Sequence, residues 1–417
     1  MSFTLSLVVA VVIMFAWLGL SRLLQTYKTS RRCGFEDRYM ATYSVDDWDS
    51  SNMQLSLMFP EEEDATIKAR VLERLEKLLQ EKDPAKSLYH EVAVVDGNRL
   101  KFSFNPDVTV EELLQKRRGI YFEMDTPGTI QVTWSHAQAD GLRMWREVRP
   151  LFDPNPHVLA FDDVKYPPPV VPELLSLPTT LKSMTYDSHL RPLVKPDAKL
   201  QRRFHTWSTK PIKHLKNKLK GSFNLVSTSL LLEELFQRHQ ETEKLTVGLT
   251  VAFTFLEAKN QYGVFTLQVK RGNFLEIYKQ VTRQIVHPMM IWGNFSNQSL
   301  ALSMMSDKTF TKVLDIFRGR IDVLVSNLPV GKFEAEINET NINIGVHTDT
   351  LSVPYYFLLL GTASQIHLSC TSSFEHNETF LNQERILSRL SGITAADLQV
   401  DPALEPARAT AQRSSRQ

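Results

Sequence analysis

A histidine placed between a strand-like run and a helix-like run is the feature that most constrains this chain. Residues 128–134 alternate as a strand does, and residues 142–145 begin a helical pattern. Between them lies His136-Ala-Gln-Ala-Asp140-Gly141, where Gly141 permits a positive φ or a close backbone approach. A histidine held at a strand end is positioned to act as a general base on a hydroxyl or an amine. An ordinary Asp-Gly turn beside an unrelated histidine fits the same residues, so the spacing alone does not establish a catalytic role.

The N-terminus differs in character from the rest of the chain. Residues 3–20 carry no charged side chain, and this span approaches the ~20 residues that a helix needs to cross a bilayer. The basic residues follow the span rather than precede it, which favours an uncleaved anchor over a cleaved signal peptide. Under the positive-inside rule, we expect a single-pass protein with its large domain on the cytoplasmic side, at the endoplasmic reticulum in a eukaryote. The basic residues in question are Arg22, Lys28, Arg31 and Arg32.

Composition bounds the classes of function. The chain has 417 residues, 42% of them hydrophobic and 23% charged, which suits two globular domains or one two-lobed domain. A net charge of +1 does not indicate a nucleic-acid partner. The two cysteines, Cys33 and Cys370, predict free thiols rather than a disulfide framework or a metal site. Four Asn-x-Ser/Thr sequons, at Asn294, Asn297, Asn338 and Asn377, are expected to be unused on a cytoplasmic domain.

Strand and helix patterns occur in two successive stretches. The first predicts strands at 53–59, 120–124 and 128–134, helices at 61–79 and 111–118, and a hairpin across Asp96-Gly97-Asn98. The second predicts helices at 225–239, 274–286, 308–318 and 378–390, with strands at 245–257, 263–270, 321–325, 340–346, 353–361 and 365–371. The pattern therefore restarts after about residue 222, as expected for two lobes of similar build.

A proline-rich and then basic segment separates the two stretches. Residues 150–211 hold eleven of the chain's 20 prolines, so we expect little regular structure and a crossover between lobes. Residues 195–220 hold nine Lys or Arg against the single acid Asp197. We favour a solvated helix and loop for this basic segment. The alternative is a face for the phosphates of a bound cofactor or for anionic lipid headgroups.

Together, the motif and the layout of residues 40–392 resemble the chloramphenicol-acetyltransferase-like acyltransferases. These include nonribosomal peptide condensation domains and wax ester synthase/diacylglycerol acyltransferases. The family motif His-His-x-x-x-Asp-Gly matches at His136, whereas Ser135 stands where many members have the first histidine.

The segment Ser326-Asn327-Leu-Pro-Val-Gly331 resembles the Ser-Asn-Val-Pro-Gly-Pro stretch of the wax ester synthases, although an ordinary strand-end turn with a proline would have the same sequence. A weaker match places Asn224 where these enzymes carry Val-Asn-Asp, with Leu225 replacing the acid. The Asp-Phe-Gly-Trp-Gly motif of the plant branch is absent.

The uncharged N-terminal span predicts one transmembrane helix within an anchor (1–24), and composition predicts a disordered tail (400–417). For the residues between them, the resemblance implies a mixed α/β fold of two similar lobes with a tunnel between them. It divides this part into an N-terminal lobe (40–160), a crossover (161–221) and a C-terminal lobe (222–392). It implies His136 as the general base, Asp140 as a structural residue of the turn and Asn327 as the oxyanion donor. Gly141, Ser326 and Asn224 would bind substrate. Acyl-CoA would be a co-substrate, with no bound cofactor and no metal.

These expectations describe a membrane-anchored O-acyltransferase that esterifies a lipophilic alcohol. The anchor would hold the tunnel near the bilayer, where such acceptors concentrate. Two alternatives remain open from the sequence. Ser135 and Leu225 favour a catalytically inactive relative that binds lipid or acts as a scaffold, and amide formation on an amine would use the same base.

Overall fold

The computed structural model describes thirteen stretches of the chain and four isolated helical residues. The stretches are 52–58, 92–96, 99–103, 120–123, 129–135, 141–148, 171–195, 198–252, 262–285, 288–329, 343–348, 353–362 and 364–391, and the single residues are Ala69, Glu73, Arg74 and Lys77. The expected anchor at 3–20, the helix at 111–118 and the tail at 400–417 lie outside these residues. Within the described stretches, no helix combines the length and the apolar character needed to span a bilayer.

Twelve strands and eight α-helices account for most of the described residues. The strands are β1 Asn52–Met58, β2 Val92–Asp96, β3 Arg99–Ser103, β4 Ile120–Glu123, β5 Thr129–Ser135, β6 Gln201–Ser208, β7 Lys244–Ala252, β8 Tyr262–Lys270, β9 Val323–Pro329, β10 Asn343–Thr348, β11 Tyr355–Gly361 and β12 Gln365–Ser372. The helices are α1 Gly141–Val148, α2 Val171–Ser183, α3 Thr209–Leu219, α4 Phe223–Arg238, α5 Phe274–Gln284, α6 Pro288–Ser303, α7 Asp307–Gly319 and α8 Gln383–Ser388. A 3-10 turn, Arg191–Leu193, precedes β6.

The strands form two six-stranded sheets. The first has the order β10-β1-β5-β4-β2-β3, and the second has the order β6-β12-β11-β9-β7-β8. Mixed parallel and antiparallel pairing occurs in both sheets, and the predicted hairpin across Asp96-Gly97-Asn98 is confirmed as the antiparallel β2–β3 pair. The expectation of a mixed α/β fold is therefore confirmed.

Strand β10 comes from the C-terminal half of the chain and completes the first sheet. Met53 of β1 lies opposite Thr348 of β10, and the pairing continues to Met58 opposite Asn343. The same strand also packs near β12 of the second sheet. One element of the second half is thus an edge strand of the first sheet, and the two sheets are joined through it.

Helix α4 is buried in the apolar core beside the second sheet. Every residue from Val226 to Phe236 is buried, so this helix has no solvent-facing stripe. It shares one apolar core with Val323 and Val325 of β9, and α3 and α5 pack beside it. Polar residues are buried along α4 as well, namely Ser227, Thr228, Ser229, Glu233 and Glu234. Its first turn, by contrast, remains partly exposed.

The expectation of little regular structure in residues 150–211 was wrong for its described part. That part contains α2, β6 and the start of α3, and β6 is the edge strand of the second sheet. Two of its described prolines, Pro172 and Pro211, fall in first helical turns, whose N–H groups need no intrahelical acceptor. Pro178 lies inside α2, which nevertheless packs against α6.

Helix α6 was not predicted from the sequence. It carries no charged residue, and its buried side chains include Trp292, Phe295 and Asn294, so no amphipathic period marks it. Asn294 is 1% exposed, and the Nδ2 of Asn297 donates to the Oγ of Ser176 on α2 at 3.1 Å. The sequon at Asn294 is therefore closed to a glycan in the folded protein.

A buried carboxylate fixes the turn that leads from α2 toward β6. Asp322 is fully buried and accepts hydrogen bonds from the backbone N–H groups of His189 at 2.7 Å and Leu190 at 2.6 Å. It also accepts from the Oγ of Ser188 at 2.5 Å and from the backbone N–H of Thr246 at 2.8 Å. Burial raises the pKa of this carboxyl, and the four donors oppose that shift. This one side chain ties the turn to β7 and to the start of β9.

Candidate active site

The second sheet opens where β9 approaches its end. β9 pairs with β7 only as far as Val325 opposite Leu249, whereas its pairing with β11 continues to Pro329. Beyond Val325, β9 therefore has a ladder on one side only. Side chains on this part of the strand can reach groups outside the sheet, and functional residues often gather where a regular element leaves backbone and side chains free.

At this opening, the amide of Asn327 on β9 donates from Nδ2 to the Oδ1 of Asn224. Asn224 lies in the first turn of α4, where it is exposed, and Asn327 is half-buried. Ser222 caps the helix, since its Oγ accepts from the backbone N–H of Leu225 at 3.2 Å. Two residues predicted as site residues, 103 positions apart in the chain, are thus in direct contact. Within the described part of the chain, Asn327 keeps one N–H and Asn224 keeps both of its N–H groups to offer to a ligand.

The neighbouring site residue, Ser326, belongs to a different hydrogen-bonded group. The Oγ1 of Thr250 donates to the Oγ of Ser326 at 2.8 Å, and Ser326 also hydrogen-bonds the phenol of Tyr356 on β11. Burial raises the pKa of Tyr356 to about 12, so this phenol stays protonated at neutral pH. Because successive side chains of a strand point to opposite faces, Ser326 and Asn327 do not face one common space. Asn327 shares its face with the core residues Val323 and Val325.

The strand and the helix predicted on either side of the histidine motif are both present. β5 ends at Ser135, and α1 begins at Gly141, which is half-buried. Trp134 of β5 and Met144 and Val148 of α1 are buried, so both flanking elements are anchored in the core. His136 and Asp140 fall in the connection between them, outside the described residues, and their roles remain predictions.

Another group of titratable side chains lies at the opposite end of α4. The Nε2 of His239 is 2.9 Å from the hydroxyl of Tyr355, and the Sγ of Cys370 is 3.8 Å from the Nε2 of His376. Burial, with the nearby Arg238, lowers the pKa of both histidines to about 4. Burial also raises the pKa of the Cys370 thiol, which is 1% exposed. A buried neutral thiol is a poor nucleophile, so this group is a packing cluster rather than a catalytic dyad.

Thr250 and Tyr356 were not predicted as members of the site. Each residue lies close to Ser326 because β7 and β11 flank β9 in the sheet. In the sequence, the two residues are about 75 and 30 positions away from it. Neither residue belongs to a local motif that would have marked it. Over the described part of the chain, no three His, Cys, Asp or Glu side chains come together in a way that could hold a metal ion.

Searches with this chain match no protein-family model and no curated protein. Solved structures do match. A single-substitution variant of the starter condensation domain of rhizomide synthetase, in complex with C8-CoA, is similar at a TM-score of 0.50 and 11% identity, covering 88% of this chain and 96% of that one. The wax ester synthase/diacylglycerol acyltransferase from Marinobacter aquaeolei VT8 has a TM-score of 0.43 and 12% identity, covering 91% of this chain and 99% of that one.

These likenesses concern the fold. The chain has the fold of the condensation domains and spans nearly the whole length of the domain that it matches. The resemblance to chloramphenicol-acetyltransferase-like proteins is therefore confirmed at the level of architecture. At 11% identity the likeness assigns no activity to the chain, and the single-histidine motif stays a prediction.

Proposed function

We propose that the protein is a membrane-anchored, acyl-CoA-dependent O-acyltransferase that esterifies a lipophilic alcohol, with His136 as the general base. The contact between Asn224 and Asn327 is the observation that carries the proposal. Both residues were selected from the sequence because they match acyltransferase segments, and a chance match does not require them to meet. The starter condensation domain of similar fold is in complex with C8-CoA, which supports acyl-CoA as the donor.

In this mechanism, the imidazole of His136 removes the proton from the acceptor hydroxyl as its oxygen bonds to the thioester carbon. The carbonyl oxygen gains negative charge, and the second N–H of Asn327 stabilises it. The tetrahedral intermediate then collapses, the carbon–sulfur bond breaks, and the imidazolium returns its proton to the CoA thiolate. The products are an ester and free CoA. No covalent acyl-enzyme is needed, because donor and acceptor meet at one histidine.

The remaining predicted residues have supporting roles. Asp140 holds the turn after His136, and Gly141 lets the backbone approach substrate at the start of α1. Asn224 fixes the rotamer of Asn327 and borders the substrate path. Ser326, predicted to bind substrate, lies on the opposite face of β9, so its proposed role is to hold the strand through Thr250 and Tyr356. A tunnel between the two lobes would admit acyl-CoA from one face and the alcohol from the other. The anchor at residues 3–20 would keep the acceptor entrance near the bilayer.

A second candidate is a relative that has kept the fold and lost catalysis. Ser135, the last residue of β5, favours it, because many members of the resembled family carry a histidine at that position. Such a protein would bind acyl chains without turning them over. An N-acyltransferase differs only in the acceptor and is distinguished in the same assay.

The test is an acyl-transfer assay with the full-length protein in detergent or lipid nanodiscs. Octanoyl-CoA is supplied with a panel of fatty alcohols and amines, free CoA is followed with a thiol reagent, and products are identified by mass spectrometry. We expect ester formation that falls at least about 100-fold in His136→Ala, the lower range for a lost general base. Ester formation by that variant within tenfold of the parent would exclude His136 as the base. CoA-independent binding of fatty alcohols without any product would support the inactive relative.

A further inference from the structure

A groove of about 1240 Å³ lies at the C-terminal end of α4, away from the candidate active site. Arg238, the last residue of α4, lines it, and Asn224 lies in the first turn of the same helix. Fourteen residues at about 1.5 Å each separate these two positions by roughly 21 Å along the helix axis. The groove is therefore a separate site from the Asn224–Asn327 pair, and it is large enough for a nucleotide-sized molecule.

Among the charged residues that line the groove, cations outnumber carboxylates. Lys195, Lys199, Arg238, Arg271 and Arg385 are opposed by two carboxylates, of which Glu234 is buried and already bound by Arg385. Arg271 donates to three backbone carbonyls at the end of α4 and beyond it, those of Phe236, His239 and Thr242. None of these acceptors is a carboxylate, so the Arg271 charge is not neutralised. Lys195 and Lys199 are exposed at the rim. An anion in this groove would meet an excess of positive charge.

Planar groups line the same groove. The guanidinium of Arg238 lies 5.1 Å from the centroid of the Phe380 ring, which holds it in place. Phe374 is half-buried in the wall and stacks against Tyr355 with ring centroids 5.3 Å apart. A flat aromatic group of a ligand can therefore lie against a supported ring or guanidinium while its phosphate contacts the lysines.

The positive charge does not come from histidine. His239 lines the groove, but its Nε2 is committed to the Tyr355 hydroxyl, and burial lowers its pKa to about 4. The cations that face the groove are lysines and arginines, whose charge is constant across neutral pH. Anion binding here should accordingly be governed by ionic strength rather than by protonation of the protein.

We propose that this groove binds a mononucleotide-sized organic phosphate. Lys195 and Lys199 contact the phosphate, and Arg238 and Phe374 contact the planar base. The site is independent of the proposed acyl transfer, and its occupant would act as a ligand of the second lobe. The first two lysines of the basic segment 195–220, Lys195 and Lys199, therefore bind the phosphate of the ligand.

The experiment measures binding of AMP to the full-length protein by calorimetry at low ionic strength, with adenosine and inorganic phosphate as matched probes. We expect saturable binding of AMP at one site, weaker binding of phosphate and no binding of adenosine. Raising the salt concentration should weaken AMP binding, since the contacts are solvent-accessible. The double variant Lys195→Glu/Lys199→Glu should bind AMP at least about tenfold more weakly, because two attractions become repulsions.

The control variant is Lys308→Glu, which changes the charge of an exposed lysine on α7 that does not line the groove. It should bind AMP as the parent does. A second variant, Phe374→Leu, should weaken AMP but leave phosphate binding unchanged. Equal loss in the Lys308 and Lys195/Lys199 variants would overturn the proposal, as would absence of AMP binding up to about 10 mM, where any specific phosphate site should be occupied. Binding to vesicles of phosphatidylinositol phosphate without AMP binding would overturn the nucleotide assignment.

Discussion

Asn327 uses one amide hydrogen on Asn224 and keeps a second, so substitution of this residue separates a structural role from a catalytic one. If the second N–H stabilises the oxyanion, Asn327→Ala should lower kcat by roughly 10- to 1000-fold with little change in KM. A purely structural role predicts a lower melting temperature with no selective effect on kcat. Steady-state kinetics and a thermal melt on the same preparation decide between these outcomes.

The partner residue supplies the control. Asn224→Ala leaves the amide of Asn327 in place but removes the acceptor that orients it, so a smaller loss in kcat is expected. If the two amides act as a unit, the double variant should lose no more activity than Asn327→Ala alone. Additive losses would mean that each residue contacts substrate independently, and Asn224 would then need its own role.

Asp322 leads to a prediction about stability rather than about activity. Its carboxylate accepts four hydrogen bonds in a fully buried position, so Asp322→Ala leaves three backbone N–H groups without that acceptor. We expect the free energy of unfolding to fall by about 3 kcal/mol or more. Chemical denaturation followed by fluorescence measures it. The matched control is Asp187→Ala, because the Asp187 side chain is largely exposed and, among the described residues, pairs with Arg320 at 3.8 Å; such pairs contribute about 0–1 kcal/mol.

Residues that carry a motif were found from the sequence, and residues that act through distant pairing were not. Asn224 and Asn327 were selected by their short motif matches, and the structure brings them into contact. Asp322 has no motif around it, and its importance arises from donors that lie about 75 and 130 residues away in the chain. The positions of Thr250 and Tyr356 beside Ser326 likewise result from the order of the strands in the sheet. Local sequence does not encode which strands will be neighbours.

At the scale of elements, two helix caps allow a controlled comparison. Ser222 caps α4 beside Asn224, and Asn273 caps α5 in a reciprocal capping box with Glu276. Replacing either residue with Ala should cost about 0.5–2 kcal/mol of stability. Only Ser222→Ala should also lower kcat, because fraying of the first turn of α4 displaces Asn224 and with it Asn327. Equal kcat in the two variants would show that the start of α4 does not position the site.

The predicted elements follow the strength of their periodic signals. The strands other than β6, and helices α4, α5 and α7, were expected close to their observed bounds, since each carries a clear period of 2 or 3.6. Helix α6 is uncharged and buried, so its sequence lacks the amphipathic pattern that marks a helix on a protein surface. For β6, the many Lys and Arg residues favoured a solvated segment. It is an edge strand, where charged side chains can project to solvent.

At the scale of the whole molecule, the anchor and its orientation make a prediction that needs no kinetics. If residues 3–20 span the membrane with the basic residues on the cytoplasmic side, protease added to intact microsomes or spheroplasts should digest the large domain. Protection until the membrane is opened, or a glycan on Asn338, would reverse the orientation. Deletion of residues 1–31 should raise solubility and preserve turnover of short, water-soluble alcohols, because the described strands begin only at Asn52.

Strand β10 gives the chain an order of assembly. β1 is made early, yet one of its two neighbours, β10, follows nearly 300 residues later: Met53 pairs with Thr348. At synthesis rates of about 5–20 residues per second, one edge of β1 is without its native partner for roughly 15–60 s. During that interval the first sheet has an open edge, which is prone to pair with other chains. Nascent protein should therefore depend on a chaperone until β10 leaves the ribosome.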